Sequence, residues 1–253
     1  MKIILTGATG YVGTEILDQA IAHNYIEHIY CITRKPLDRK YFAKAAKGKV
    51  TELIHENFGN YEDSLMQFLK DAGVEGCIWC MGPKTHPDPA KRAEEEKIRI
   101  SYPIAAAEVF SGYLATALSP QLMPKRKFPF RFIFISAYGA EQDQFRSLWM
   151  WNDWRKMKGA AEKGLFDVAD HSEMIQGHRC FETIALRSGQ VIKPGDAIGT
   201  ILWEATVPSI SVDRLAKAAL RAALTGTGDE KKRILENKEC LGSDWAMVNT
   251  LTL

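Results

Sequence analysis

The chain has 253 residues, of which 46% are hydrophobic and 25% charged, the ordinary globular mix, which argues against disorder, collagen-like repeats and coiled coil. This length suits one large domain or two small ones and argues against two independent enzymatic domains. Thirty-three basic against thirty-one acidic residues leave a net charge of +2, too little for nucleic-acid binding through a general positive field, so any anion site is local.

No run approaches the roughly eighteen uninterrupted apolar residues of a membrane span, and the opening KIILTGATG lacks the zones of a secretory signal. A soluble, cytoplasmic protein without membrane or nucleic-acid partners is expected. Five cysteines are spread through the chain, and a disulfide framework is not expected. Cys77-x-x-Cys80 lies in GCIWCMG, which reads as a strand, whereas a redox pair needs its first thiol at a helix N-terminus.

Short apolar runs alternate with longer segments of helical period, the pattern of a parallel sheet wrapped by crossover helices. The runs are IILT (3–6), HIYCIT (28–33), VTELI (50–54), CIWCM (77–81), FIFIS (132–136) and TIALR (183–187). Between the first two, Ile16, Leu17, Ala20 and Ile21 give one apolar helical face. The segment 91–118 predicts a helix that enters from solvent and then packs, with Pro103 either kinking it or marking a first turn. PKTHPDPAKR (83–92) follows a strand's C-terminal end and is a lid candidate carrying His86, read as a solvated loop histidine with a proton donor as the alternative, and the basic, proline-rich 119–131 reads as a surface loop. The final WAMVNTLTL reads as a docked tail. His171 and His178 have no Cys or carboxylate at ligand spacing, so no metal site is expected.

The strongest signal is TGATGYVG (6–13), set between a strand and a helix, with Gly7, Gly10 and Gly13 three apart. Glycine there lets the chain turn tightly, lets backbone approach a pyrophosphate and lets the helix pack on the strand, while the helix N-terminus offers N–H groups to phosphates. Thr9, Tyr11 and Val12 complete the loop as contact candidates. About twenty residues on, where an NAD site carries Asp or Glu, stand Thr33, Arg34 and Lys35. A guanidinium can stack on adenine and fork onto a 2'-phosphate, which favours NADP(H) over NAD, and Arg34, nearer the strand end, is placed ahead of Lys35 as the contact. The alternative is that both begin a solvated segment, since 34–49 holds seven Lys or Arg and one Asp.

With these motifs the chain resembles the short-chain dehydrogenase/reductase superfamily in its extended and atypical branches, and most closely the Tat-interacting-protein-like oxidoreductases, with nitrogen-repressor-type NADP sensors second. TGATGYVG resembles their G-x-x-G-x-x-G loop. Asn57-Phe58 resembles the pair beside the adenine, Cys80-Met81-Gly82 the segment crossing the cofactor, and FISAYGA (134–140) the strand that brings a catalytic serine, here Ser136. Arg187-Ser188-Gly189 resembles the turn beside the nicotinamide, and SVDRLAKAA (211–219) the helix start that closes the fold. The resemblance implies a doubly wound parallel Rossmann sheet over residues 1–253, with a small substrate region formed mainly by about 83–92, 138–180 and 190–253.

The departure sits at the chemistry. The superfamily's Tyr-x-x-x-Lys aligns with Trp154 to Lys158, and none of the eight tyrosines has a lysine four residues on. Indole N–H cannot donate and accept a proton as a phenol can. Lys158 retains its implied hold on the nicotinamide ribose, and Tyr138, two residues after Ser136, is a candidate replacement acid. Trp151, Trp154 and Lys158 fall on one helical face, read either as core or dimer packing or as a wall for an apolar or aromatic substrate. The expected function is an NADP(H)-dependent oxidoreductase acting on a small or medium apolar carbonyl or alkene, in which Ser136 holds the oxygen and water or Tyr138 supplies the proton. The alternatives are a non-redox cyclase or isomerase on the same scaffold, and an NADP-sensing regulatory protein. A homodimer is possible on either footing.

Overall fold

All six apolar runs become strands of one parallel sheet in the computed structural model, which describes residues 1–44, 48–82, 89–118, 129–195, 208–229 and 231–242. They are β1 (Lys2–Thr6), β2 (His28–Thr33), β3 (Val50–Ile54), β4 (Gly76–Trp79), β5 (Phe130–Ala137) and β8 (Phe181–Ser188). Before β8 a small antiparallel ribbon pairs β6 (Met174–Ile175) with β7 (His178–Arg179), and beyond it β9 (Gln190–Ile192) pairs with β10 (Ser209–Ser211). A seventh sheet strand, β11 (Ile234–Glu236), pairs with β8 at Ala185–Arg187. Its three residues carry no apolar run long enough to be read from sequence. The lid candidate's 83–88, His86 included, the basic loop's 119–128 and the terminal WAMVNTLTL lie outside the described residues.

The sheet order is β11-β8-β5-β4-β1-β2-β3. Both faces are covered, which is why the strands read as continuous apolar runs and not as alternating ones. On one face α1 (Tyr11–Ala22) and α7 (Val212–Thr225) meet Ile3, Leu5, Ile133 and Ile184. On the other, α3 (Asp63–Asp71), α5 (Tyr102–Tyr113) and α6 (Asn152–Asp170) meet Ile4, Trp79, Phe132 and Phe134. Trp79 is fully buried, stacked on Phe132 with ring centroids 5.9 Å apart and edge-on to Phe58. Rings buried in this way contribute about 1.5 to 3 kcal/mol each. Short helices α2 (Lys40–Lys44), α4 (Arg92–Glu96) and α8 (Asn237–Leu241) complete the chain.

The segment expected as one helix is interrupted. Between α4 and α5 a π-helical turn spans Lys97–Ser101, and Pro103 lies in the first turn of α5. Proline has no N–H and its ring crowds the carbonyl four residues back, so a continuous α ladder cannot pass through it. Pro103 therefore marks a first turn.

Because β1 has β2 on one side and β4 on the other, the connections leave in opposite directions at this point of the sheet. Such a reversal opens a crevice at the strands' C-terminal ends, where ligands of open α/β sheets sit.

Candidate active site

The crevice is built first by the loop from Gly7 to Gly13. Gly7 has φ +70°, and a Cβ there would stand 2.7 Å from the Cys80 carbonyl oxygen. Gly13 would bring a Cβ to 2.1 Å from the Gly7 oxygen. The protein's own contacts thus require glycine at both positions. Gly10 differs: its φ is −86°, and among the described residues a Cβ there would meet the Gly7 oxygen at 3.2 Å, tight but relieved by a small shift. It is the N-cap of α1, a helix start with no side-chain cap and no acid in its first turn. The positive end of the helix dipole faces the crevice without a side-chain anion from that turn, and a small space remains over Gly10. This is a cradle that a Cβ would fill, and it suits a pyrophosphate. Thr9 and Tyr11 are exposed at its rim, and Val12 packs inward against the core.

At the end of β2, Thr33 is buried and its hydroxyl donates to the Lys35 carbonyl at 2.7 Å, while the Leu37 N–H donates to Glu52. These bonds set the turn that leaves Arg34 and Lys35 exposed. After β3, the Asn57 side chain accepts the Gly59 N–H at 3.1 Å and shapes a turn. Phe58 is 1% exposed within the aromatic core, so only its main chain can face a nucleotide. Met81 is half-buried and Gly82 exposed, with nothing among the described residues within 4 Å of a would-be Cβ at Gly82.

At the end of β5 the expectation for Ser136 needs correction. Its side chain is on the face that packs against α6, and its hydroxyl donates to Glu162 at 2.6 Å. Glu162 is completely buried, and a buried carboxylate must gather donors. Arg187 supplies two, at 3.0 and 2.6 Å, and Gln142 a third at 2.9 Å, while Arg187 also reaches Glu236 at 3.1 Å. The Ser136 hydroxyl is committed to this network and is not presented for a substrate oxygen. Ser188 is likewise buried, its hydroxyl donating to the Ser136 carbonyl at 3.4 Å, and the Tyr138 N–H donates to the Ser188 carbonyl at 2.7 Å. Gly189 is held by Asn237, which accepts its N–H at 2.7 Å, and a Cβ there would lie 1.7 Å from the Pro208 oxygen. The Tyr138 side chain is 44% exposed at the crevice edge.

Lys158 enters from α6. Its Nζ donates to the Ile135 carbonyl at 2.9 Å and sits 4.7 Å over the Phe134 ring. Burial, with the positive Arg99 nearby, brings its pKa down to about 8, against the pull of Glu162 and Cys80. Arg99, on the π-helical turn, is buried and paired with Glu95 at 2.7 Å. The neighbouring Cys80 thiol donates to the Thr6 carbonyl at 2.8 Å, and burial pushes its pKa up to about 12. Burial also raises the Cys77 thiol. Both stay protonated, which removes the redox-pair reading.

Trp154 is half-buried one turn before Lys158, as the periodicity expects. Trp151 is not on that face: it precedes α6 as its N-cap at φ 51°, a left-handed conformation that ends the helix there. Phe145 and Trp149 are 97% and 95% exposed on the same loop, with Met150 and Trp151 partly so. The loop's root is fixed, because a Cβ on Gly159 would stand 1.8 Å from the Glu141 oxygen. Sequence reading missed Glu162, Gln142, Arg99 and Asn237. For Glu162 a signal existed, an acid four residues after Lys158 on an inward helical face. An open cleft of about 650 Å³ between α5 and α6, lined by Ile104, Gly164 and His171 among others, lies toward the opposite sheet edge, because α6 runs antiparallel to β5.

No family model matches the chain. Over 168 residues it is 32% identical to leucinostatins biosynthesis cluster protein T of Purpureocillium lilacinum, a match covering 66% of this chain and 52% of that protein. The chain thus spans about half the length of this curated relative. Similar solved structures include methylglyoxal/isovaleraldehyde reductase Gre2 of yeast complexed with NADPH, with TM-score 0.63 and 14% identity over 93% of this chain and 77% of that one. A short-chain dehydrogenase/reductase of Saccharomyces cerevisiae gives 0.65 and 14% over 99% of both chains. Gre2 of Candida albicans with NADPH gives 0.66 and 15% over 93% and 77%. The chain has the Rossmann-type fold of the short-chain dehydrogenase/reductase proteins, as its motifs imply.

Proposed function

We propose that the chain binds NADP(H) and reduces a small or medium apolar carbonyl or alkene. The observation that carries this reading is Gly10, a glycine at a helix N-terminus where a Cβ would meet the Gly7 oxygen at 3.2 Å, a tight contact but far looser than the 2.7 and 2.1 Å that fix Gly7 and Gly13. Gly7, Gly10 and Gly13 with the start of α1 would hold the pyrophosphate, Arg34 and Lys35 a 2'-phosphate, Asn57 and the Phe58 main chain the adenine, Met81 and Gly82 the middle of the dinucleotide, and Lys158 with the Ser188 turn the nicotinamide ribose. The cofactor supplies a hydride. The exposed Phe145, Trp149, Met150 and Trp151 support an apolar substrate, since they would shed water against it. The NADPH complexes of the Gre2 proteins and the biosynthetic-cluster relative are consistent with this chemistry.

Trp154 at the acid's position and the engaged Ser136 hydroxyl favour a second reading, a non-redox cyclase or isomerase or an NADP-sensing partner protein. Steady NADPH consumption with a panel of aldehydes, ketones and activated alkenes supports the reductase, and binding without consumption supports the second reading. Cofactor choice is tested separately. Arg34 is exposed, and a charge-assisted hydrogen bond is worth about 1.5 to 3 kcal/mol. Arg34→Ala should then weaken NADPH binding roughly ten- to hundredfold and leave NADH nearly unchanged in calorimetry. Equal losses for both would overturn the choice of NADP.

A further inference from the structure

We propose that Lys158 is itself the proton donor of the reduction, acting directly on the substrate oxygen in a site that has no phenol four residues before it. This role rests on the reductase reading. Its first support is position. Nζ is anchored at 2.9 Å on the Ile135 carbonyl, against the Phe134 ring, and neighbours Cys80, whose thiol hydrogen reaches the Thr6 carbonyl at the mouth of the glycine loop. The amine is therefore fixed between the ends of β4 and β5, at the crevice.

The second support is elimination. Trp154 carries an N–H that is no acid. The Ser136 hydroxyl is given to Glu162, and the Cys80 thiol is kept protonated and turned to Thr6. Among the described residues Tyr138 remains the rival, exposed at the rim.

The third support is the surroundings of the amine. Arg99 faces it from the π-helical turn, with Glu95 as its own counter-ion, while Glu162 faces it from α6 and Cys80 from the end of β4. Burial and Arg99 outweigh Glu162, the Cys80 thiol being neutral at this pH, and the ammonium releases its proton at about pH 8, well below a solvated lysine at about 10.4. An acid is most useful when its pKa is near the working pH.

In the step itself, the carbonyl carbon gains a hydride from the reduced nicotinamide, which leaves oxidised. The π pair moves to oxygen, and oxygen takes a proton from the Lys158 ammonium. The neutral amine left behind is reprotonated by water.

The test uses wild type, Lys158→Arg, Lys158→Ala and Tyr138→Phe, with NADPH binding measured by calorimetry and folding by thermal melts. The arginine variant keeps the charge but not a releasable proton. It should bind NADPH within about tenfold of wild type and lose about a hundredfold or more in kcat. Wild-type kcat should fall as pH rises through about 8, and methylammonium should restore part of the activity of Lys158→Ala. Acylation of Lys158 by acetic anhydride, read by peptide mass spectrometry without cofactor, should reach half its limiting rate near that same pH. Full kcat in Lys158→Arg, loss of kcat in Tyr138→Phe alone, or an acylation midpoint above about 10 overturns the assignment while leaving the reductase reading intact. Absence of NADPH turnover in wild type overturns the reductase reading and this role with it.

Discussion

Gly10 and Gly13 are both glycine, for different reasons. Gly13 has the Gly7 carbonyl 2.1 Å from its would-be Cβ, whereas Gly10 has it at 3.2 Å. Gly13→Val should therefore lower the melting temperature of the free protein. Gly10→Val, with its milder 3.2 Å contact, should lower that temperature less than Gly13→Val and abolish the shift produced by NADPH, since the new methyls occupy the cradle. A variant at Gly10 that still gains stability from NADPH as wild type does would reduce the loop to a turn. The spacing of the glycines made the loop legible in sequence, but only the contacts separate Gly13, which the fold requires, from Gly10, where a Cβ meets a milder contact. Lys158 offers a pH test at the same scale. Its folded pKa is lowered to about 8, so between that value and the unfolded one near about 10.4 the unfolded chain binds more protons, and this group makes stability rise with pH over that window. Below the window its unfavourable contribution is fully present. The unfolding free energy of wild type minus that of Lys158→Met should rise from pH 8 to pH 10 in urea titrations, and a flat difference would remove the lowered pKa.

Among the elements, β1 to β5, β8 and α1 were legible because each carries enough apolar residues to reveal its period. The π-helical turn was not, because the sequence shows only Pro103 and not how the ladder adjusts upstream of it. Nor was the α6–β5 contact, which depends on one acid in a helix. Glu162 has no exposed surface and joins Ser136, Gln142 and Arg187 across three segments. Removing one partner of a buried ion pair costs about 3 to 5 kcal/mol, because the other charge is left unpaired. Glu162→Ala should lower stability by about that amount, read as a lower urea midpoint at constant slope. It should also release the Ser136 hydroxyl and leave the amine of Lys158 without its nearest acid on α6. A loss below about 1 kcal/mol would mean that Arg187 is satisfied elsewhere, by Glu236 or by water. The engagement of Ser136 could not be read from the motif, since FISAYGA shows a serine at a strand end but not which group its hydroxyl meets.

For the whole molecule, the sheet order decides where every functional candidate can be. All seven strands run parallel, so the turns after β1, β2, β3 and β4 share one edge, and the reversal between β1 and β4 sets the crevice at the middle of that edge. Alternation of apolar runs with helical periods was enough to foresee a doubly wound sheet. It could not foresee β11, which is three residues long and stabilised by pairing with β8 and by the α8 capping box of Glu236 and Glu239. Hydrogen exchange tests the assignment of the edge. On adding NADPH, amides of 7–14, 33–35, 57–60 and 80–82 should slow together, since a dinucleotide spanning the reversal touches the turn after each of the four strands. The opposite edge should serve as an internal control. There Glu27 donates its N–H to the Met1 carbonyl and Glu75 donates to Lys2, and these turns should exchange as before. Helices α5 and α6 around the open cleft near His171 should also be unaffected. Slowing at that cleft, with the glycine loop unchanged, would move the nucleotide site to the far side of the sheet and remove the basis for every role assigned to the crevice.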